Sequence, residues 1–439
     1  MSSLFELLGE SIQREFAQRR DTIPRACFYC PDAPELLAKG MLAETKGRTA
    51  LVISDVRTRD AAGGPCLEAM ERAGWSCTEL VVPDGTGGAS PVCDDVTRDR
   101  LKAILPPADV FVAVGAGVVN DLTKWLASEA SVPYGVLATA ASMNGYSAAN
   151  VAPSIKGVKS LFRAQAPRIL AAIPSVIERA PWNLTASGLG DVIAKPVSTA
   201  DWLMNHDLFG ESFSQAVADI INRLEPSYLG HPQALAGKEP EAIRALFDAL
   251  VWSGCAMTLQ GSSLPASGGE HLISHTLDML AHVDGSRHDL HGRQVGVGTI
   301  FAAALYQRMI AIDLPRIRAT GAPFDPGLWG SIAPAVESEH AAKHQRIEQA
   351  CTLLSEPGCW SRLRSALSPI LRRPEDIKDC LAKSGAAHRI ADIGCSRDRF
   401  LTAVLNCGAM RARFTSIDLA WVLGVLPDAA ETIVDDLLS

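Results

Sequence analysis

Four apolar, β-branched runs recur along the first third of the chain, with helix-patterned segments between them: TALVIS (49–54), CTELVVP (77–83), ADVFVAVG (108–115) and YGVLAT (134–139). Short continuous apolar runs read as strands buried on both faces, and regular strand–helix alternation makes a parallel sheet flanked by helices. A doubly wound nucleotide-binding domain is the expected result. The short run ILAAIP (169–174) is placed to return to that sheet as a last strand.

The strand ends carry the residues that chemistry would use. Asp55 follows the first run, where it can accept hydrogen bonds from a ribose hydroxyl or cap the next helix; both readings stand. The third run leads into GAGVVNDLTKWLAS, in which Gly115 and Gly117 flank a tight strand-to-helix turn. Such a turn lets backbone approach a pyrophosphate with a helix N-terminus facing it. Asn120 holds the third glycine position of G-x-G-x-x-G, so the turn alone does not specify a dinucleotide. The fourth run opens AASMNGYSAAN, a loop of small residues rich in hydroxyls and amides.

Past about residue 165 strand-like runs become rare. Helical periodicity covers 171–205, 209–224, 239–258, 269–283, 293–312, 331–354, 358–370, 375–386, 397–411 and 416–438. The expected layout is an α/β domain over 1–170 and an all-α domain over 171–439.

Within the helical part, five of the ten histidines fall in 264–299: His271, His275, His282, His288 and His291. His271 and His275 are four apart and share one helix face. His291 follows a polar loop and can open the next helix. Two imidazoles from neighbouring helices begin a metal site that a carboxylate from elsewhere could complete. Asp191, after a Gly-Leu-Gly bend, is such a carboxylate in the first turn of a helix, or else a capping residue paired with Lys195. With three protein ligands an open position would remain for a carbonyl oxygen, and a nearby dinucleotide would supply hydride. Lys159, Arg163 and Lys195 are equal candidates for a substrate phosphate. His340 and His344 lie in charged surroundings that read as a solvated helix face, and His282 and His288 read as loop or surface residues.

Charge and cysteine content limit the alternatives. Lys plus Arg number 41 and Asp plus Glu 49, so 41 − 49 = −8, which argues against a general nucleic-acid or anionic-membrane binder. No apolar run is read as a membrane span and the N-terminus lacks a signal-peptide layout, so a cytoplasmic protein is expected. The eleven cysteines are scattered through apparent core segments and read as small buried hydrophobes. Cys27 and Cys30 form a lone CxxC without a second pair to complete a zinc site.

Taken together and in order, GAGVVNDLTKW, TAASMNGYSAA, GLGDVIAK…DW, PASGGEHLISH and LHGRQVGVGT resemble the glycerol-1-phosphate dehydrogenases of the dehydroquinate synthase-like and iron-containing alcohol dehydrogenase superfamily. RARFTSIDLAWVLGVL (411–426) is a fainter echo near the C-terminus. The resemblance implies a Rossmann-like NAD(H)- or NADP(H)-binding α/β domain, an all-α domain, and one divalent metal, Zn2+ or Ni2+, between them. It implies Asp191, His271 and His291 as metal ligands. Asp55 would lie near the ribose, and Gly115, Gly117, Val118, Val119, Asn120 and Asp121 would form the pyrophosphate turn. Thr139, Ala140, Ala141, Ser142 and Ala148 would contact cofactor. Asn144, Asp191 and His275 would contact substrate. Asp191 and His275 are the catalytic candidates, with the proton coming through metal-bound water or through His275, one turn from His271. The implied reaction interconverts dihydroxyacetone phosphate and sn-glycerol 1-phosphate by hydride transfer in a homodimer or higher homo-oligomer.

The chain departs from the family pattern in places. Ala141 and Ala148 replace a Pro and a Ser, Ile173 an Asp, and Arg57 an Asn; Arg57 could meet a 2′-phosphate or point to solvent. Three other readings remain: a dehydroquinate synthase-type cyclase, whose first ligand is normally Glu; a dehydrogenase of another small polyol or aldehyde; and a silent homologue.

Overall fold

The computed structural model describes residues 4–439. Six strands form one parallel sheet: β1 (Ala26–Tyr29), β2 (Thr49–Asp55), β3 (Ser76–Val82), β4 (Val110–Gly115), β5 (Tyr134–Ala138) and β6 (Ile169–Ala172). Their order is β1-β6-β5-β4-β2-β3. β4, β5 and β6 are buried at every residue and β2 at its five central ones, whereas edge strand β3 is buried at only two positions.

The four runs and ILAAIP thus all enter the sheet. β1 is the addition. Its four residues hold Cys27, and alternation sends Cys27 and Cys30 to opposite sides of the strand. Cys27 faces the Cys255 side, and burial pushes its thiol well up. Cys30 packs against the core cluster that holds Leu37, Val52 and Val112. The pair is therefore not a shared ligand site. Two short hairpins, Ser154–Ile155 with Val158–Lys159 and Asn150–Val151 with Phe162–Arg163, were also not anticipated.

Strand order reverses at β2, which has β3 on one side and β4 on the other. Ligands of open α/β sheets bind outside the strand C-termini at such a switch point. Ser54 is in register with Val114, so Asp55 and Gly115 end adjacent strands at the same level.

Packing divides the chain into two compact units. The first runs to Gly188 and takes back Asp219–Tyr228 and Gly237–Ser262; the second comprises Leu189–Ala218, Leu229–Ala236 and Ser263–Ser439. The helical region is therefore not collected into one continuous unit after residue 170. Its helix Pro240–Gln260 packs within the first unit: Ala149 N donates to Thr258 Oγ1 at 2.9 Å and Thr258 Oγ1 to Ser147 O at 3.2 Å. That helix is also long and apolar enough to cross a membrane, but it is mostly buried, as a core helix is.

The expected helix over 171–205 is broken into β6 and the helices Pro174–Arg179, Trp182–Val192 and Lys195–Phe209. Pro174, Pro181 and Pro196 each lie within one residue of a helix start, where a missing N–H is tolerated. Likewise 416–438 is divided at Gly424–Pro427 into Ser416–Val422 and Ala429–Ile433.

Candidate metal centre

Three helices carry the metal-type residues, all of which lie in the second unit. The end of α1 (Trp182–Val192) bears Asp191, α2 (Gly269–Asp284) bears His271 and His275, and α3 (His291–Ile310) begins at His291. Asp191 is thus the penultimate residue of a helix, not a first-turn residue after a bend. Gly188 and Gly190 are helical, and Gly190 packs against α3. A Cβ at 190 would lie 1.9 Å from Gly292 O, and one at Gly298 would lie 2.9 Å from Glu270 O. These glycines let the helix backbones close in on one another.

Their approach brings one ligand atom each from Asp191, His271 and His291 within 4.8 Å of one another, a spacing that one small cation can bridge. His271 Nε2 lies 3.5 Å from Asp191 Oδ1. Two nitrogens and one carboxylate oxygen, on two buried residues and one partly buried one, could hold a divalent transition metal and leave a position open.

The surroundings fix charge and orientation. A helix C-terminus disfavours an anion, and burial also opposes charge on Asp191. Lys195 first, then the His271 and His291 rings, nevertheless hold its carboxyl well below the usual range. Lys195 Nζ is 3.7 Å from Asp191 Oδ1 and donates to Asp191 O at 2.8 Å and Ala266 O at 3.2 Å. Buried on these carbonyls, Lys195 is no phosphate ligand. His271 Nδ1 lies 2.7 Å from Glu270 Oε1, and His291 Nδ1 lies 3.0 Å from Ser274 Oγ.

Behind the site is a carboxylate that sequence reading passed over. Asp201, fully enclosed on the helix Lys195–Phe209, accepts from Gly269 N at 2.7 Å, Ser416 N at 2.9 Å and the Tyr306 hydroxyl. It joins the start of α2, the last third of α3 and the C-terminal motif. Burial, then neighbouring Glu270, pushes its carboxyl up to about 7. The TSID echo has the same supporting role: Asp418 caps its own helix through Thr415 N at 2.8 Å and pairs with buried Lys343 at 2.6 Å. The signal available was the DW pair after GLGDVIAK, but its partners are 68 to 215 residues away.

The other predicted residues fall as follows. His275 joins the cluster, its ring stacked at 5.3 Å and 17° on His291 and 6.1 Å from His271. His282 and His288 are exposed, His288 pairing with Asp278 at 3.0 Å. His344 is exposed, while His340 is half-buried and meets Ala322 O at 3.0 Å.

In the first unit, Asp55 Oδ1 caps the residues after β2 by accepting from Thr58 N at 2.8 Å. Arg57 is spent on an exposed pair with Asp84 at 2.8 Å. A Cβ at Gly115 would meet Val119 at 2.5 Å, and Gly117 opens α-helix Gly117–Ala130 with no side-chain cap on its first amides. Val119 and Asn120 are buried, as are Ala140, Ala141 and Ala148, so these residues present backbone rather than side chains. Thr139 N donates to Gly115 O at 3.2 Å, and Tyr146, from Ser142 at 3.3 Å, donates to Ala140 O at 2.8 Å.

Lys124 went unnoticed in sequence. Fully buried, it lies 3.3 Å from Asp121 Oδ1 and donates to Gly145 O at 2.7 Å and Asn150 O at 3.0 Å. It ties the helix of the glycine turn to the loop that bears Asn144.

The chain is similar to known proteins over most of its length. Residues 34–181 match the family described as iron-containing alcohol dehydrogenase. The glycerol-1-phosphate dehydrogenase [NAD(P)+] of Thermococcus sibiricus (strain DSM 12597 / MM 739) is 33% identical over 347 residues, 76% of this chain and 93% of the relative. That of Bacillus subtilis (strain 168) is 30% identical over 269 residues, 60% of this chain and 67% of the relative. The match with the Bacillus velezensis relative spans 66% of that relative's length. Among solved structures, a probable glycerol dehydrogenase from Sinorhizobium meliloti 1021 has a TM-score of 0.62 at 17% identity, covering 94% of this chain and 96% of that one. The NADH-dependent butanol dehydrogenase A of Thermotoga maritima has a TM-score of 0.60 at 16% identity, covering 95% and 97%. At these identities the structures speak for the fold alone.

Proposed function

The chain belongs to the glycerol-1-phosphate dehydrogenase family, and we propose that it interconverts dihydroxyacetone phosphate and sn-glycerol 1-phosphate with NAD(H) or NADP(H) and a divalent metal, zinc or nickel. The observation that carries the proposal is the convergence of Asp191, His271 and His291 from three helices in a member of that family. These residues would hold the metal, His271 through Nε2, with Asp191 also facing substrate. When bound, the metal supplies Lewis-acid polarisation of a carbonyl and the nicotinamide supplies hydride.

The chain's own residues do the rest. Lys195 and the two rings keep Asp191 ionised for its role. His275, one turn from His271, moves a proton at a ring nitrogen for the substrate oxygen. The uncapped first amides of Gly117–Ala130 receive the pyrophosphate, which needs N–H donors and gains from the helix dipole. Asp55 is the ribose residue and Thr139–Ser142 the adjoining cofactor loop, both beside the strand ends at the switch point. Asn144 contacts the substrate.

The test is a coupled assay of NADH and NADPH oxidation with dihydroxyacetone phosphate, on metal-stripped protein reloaded with zinc or nickel. Metal-dependent oxidation, lost together with bound metal in His271→Ala, is expected. Full activity in a metal-free His271→Ala protein would overturn the proposal. Turnover without net NAD(P)H consumption would point to cyclase chemistry instead.

A further inference from the structure

Adjacent residues on a helix point about 100° apart and do not face each other. Glu270 and His271 break this rule, because Glu270 folds back over the start of α2. Its Oε1 accepts from Gly268 N at 2.7 Å and meets His271 Nδ1 at 2.7 Å. A carboxylate accepts, so the ring nitrogen donates, and the tautomer with Nδ1–H turns the Nε2 lone pair away from Glu270. That Nε2 lies toward Asp191 Oδ1.

The fold-back is enforced. Glu270 is fully buried, and Asp201 holds the next amide of the helix start, Gly269 N, at 2.7 Å. A Cβ at Gly268 would lie 2.5 Å from Asp201 Oδ2 and 2.9 Å from Glu270 Oε2. Only glycine at 268 lets the two carboxylates flank the turn.

We propose that Glu270 is a positioning residue for the metal centre, gripping His271 by Nδ1 so that Nε2 faces the space between Asp191 and His291. This rests on the metal reading above. Carboxylates that orient a ligating imidazole typically govern about 10- to 100-fold of metal affinity, here through a donor fixed by an immobilised helix start.

Three substitutions separate orientation from charge and from packing. Glu270→Leu removes the acceptor, Glu270→Gln keeps acceptor and reach without charge, and Glu270→Asp keeps charge one methylene short. Each protein is stripped and titrated with Co2+ against a chelator, reading affinity and the visible d–d spectrum, with near-ultraviolet circular dichroism as the fold control. The expected result is Co2+ binding weakened about 10- to 100-fold with an altered spectrum in Glu270→Leu and Glu270→Asp. Glu270→Gln should retain the parent spectrum and most of the affinity.

A folded Glu270→Leu with parent affinity and spectrum overturns the proposal, as does Glu270→Gln failing alongside it. Should Glu270→Leu not fold, Glu270→Asp decides: parent-like binding overturns the proposal and a loss supports it. A parent protein that takes up no Co2+ overturns the metal reading itself.

Discussion

At the scale of single residues, Asp201 is the group whose chemistry the fold alters most legibly. Its carboxyl is pushed up to about 7 by burial and by Glu270, against the donors Tyr306, Gly269 N and Ser416 N. Unfolded, an aspartic acid titrates near about 3.9. The folded chain therefore holds an extra proton between those values. Stability from this proton is fully present below about pH 4 and is lost as pH rises through the folded value. The slope at one proton is about 1.4 kcal/mol per pH unit. Urea unfolding of metal-free protein from pH 4.5 to 7.5 (a window set by ~3.9 unfolded) should show this fall in the parent and a shallower one in Asp201→Asn. Equal slopes would show that Asp201 is ionised throughout. Asp191, His271 and His291 could be singled out in sequence, because helical spacing, a loop and a glycine-rich motif marked them. Glu270 and Asp201 could not: Glu270 acts through a local fold-back that regular helix geometry does not predict, and Asp201 through partners distant in sequence.

At the scale of elements, the same contrast separates the strands from the helices. The inner strands were legible because burial on both faces writes an apolar, β-branched run, and edge strand β3 was legible through LVV at its end. β1, with four residues at an edge, and the two-residue hairpin strands write nothing comparable. Gly-Leu-Gly was misread because glycine suits a bend as well as a close helix contact, and only the packing partner distinguishes them. That contact makes a prediction. In Gly190→Ala the new Cβ would sit 1.9 Å from Gly292 O, between backbones that carry Asp191 and His291. Overpacking of this kind costs about 1–3 kcal/mol, and the helices must part. Atomic emission should find the variant's metal content well below the parent's while circular dichroism finds its helices intact; undiminished metal would refute the contact's role.

Lys124 gives the first unit an equivalent joint. Lys124→Met leaves Asp121 and two carbonyls of the 145–150 segment without their cation. Losing one partner of a buried pair costs about 3 kcal/mol. The loop that follows the proposed cofactor residues should loosen, raising KM for NAD(P)H several-fold while metal content holds. A KM equal to the parent's would show that the loop is fixed by other contacts, such as Thr258 on Ala149 and Ser147.

At the scale of the whole molecule, the two chemistries proposed above would be allotted to different units. The glycine turn, its helix and the 139–150 loop lie in the first; Asp191, His271 and His291 all lie in the second, with Asp191 about eighty to one hundred residues before the two histidines in sequence. A single boundary near residue 170 could not convey this, because the chain returns to the first unit twice and burial is indifferent to sequence order. A ligand that binds only the folded state stabilises it by about 2.7 kcal/mol at a hundredfold excess over Kd, and that energy enters first where its ligands sit. Hydrogen exchange followed by mass spectrometry should therefore resolve the two. Zinc added to stripped protein should slow exchange first in 189–195, 269–284 and 291–298, and NADH in 115–121 and 139–150. Zinc-induced protection confined to the glycine turn, with 269–298 unchanged, would refute the assignment of the metal to these three helices.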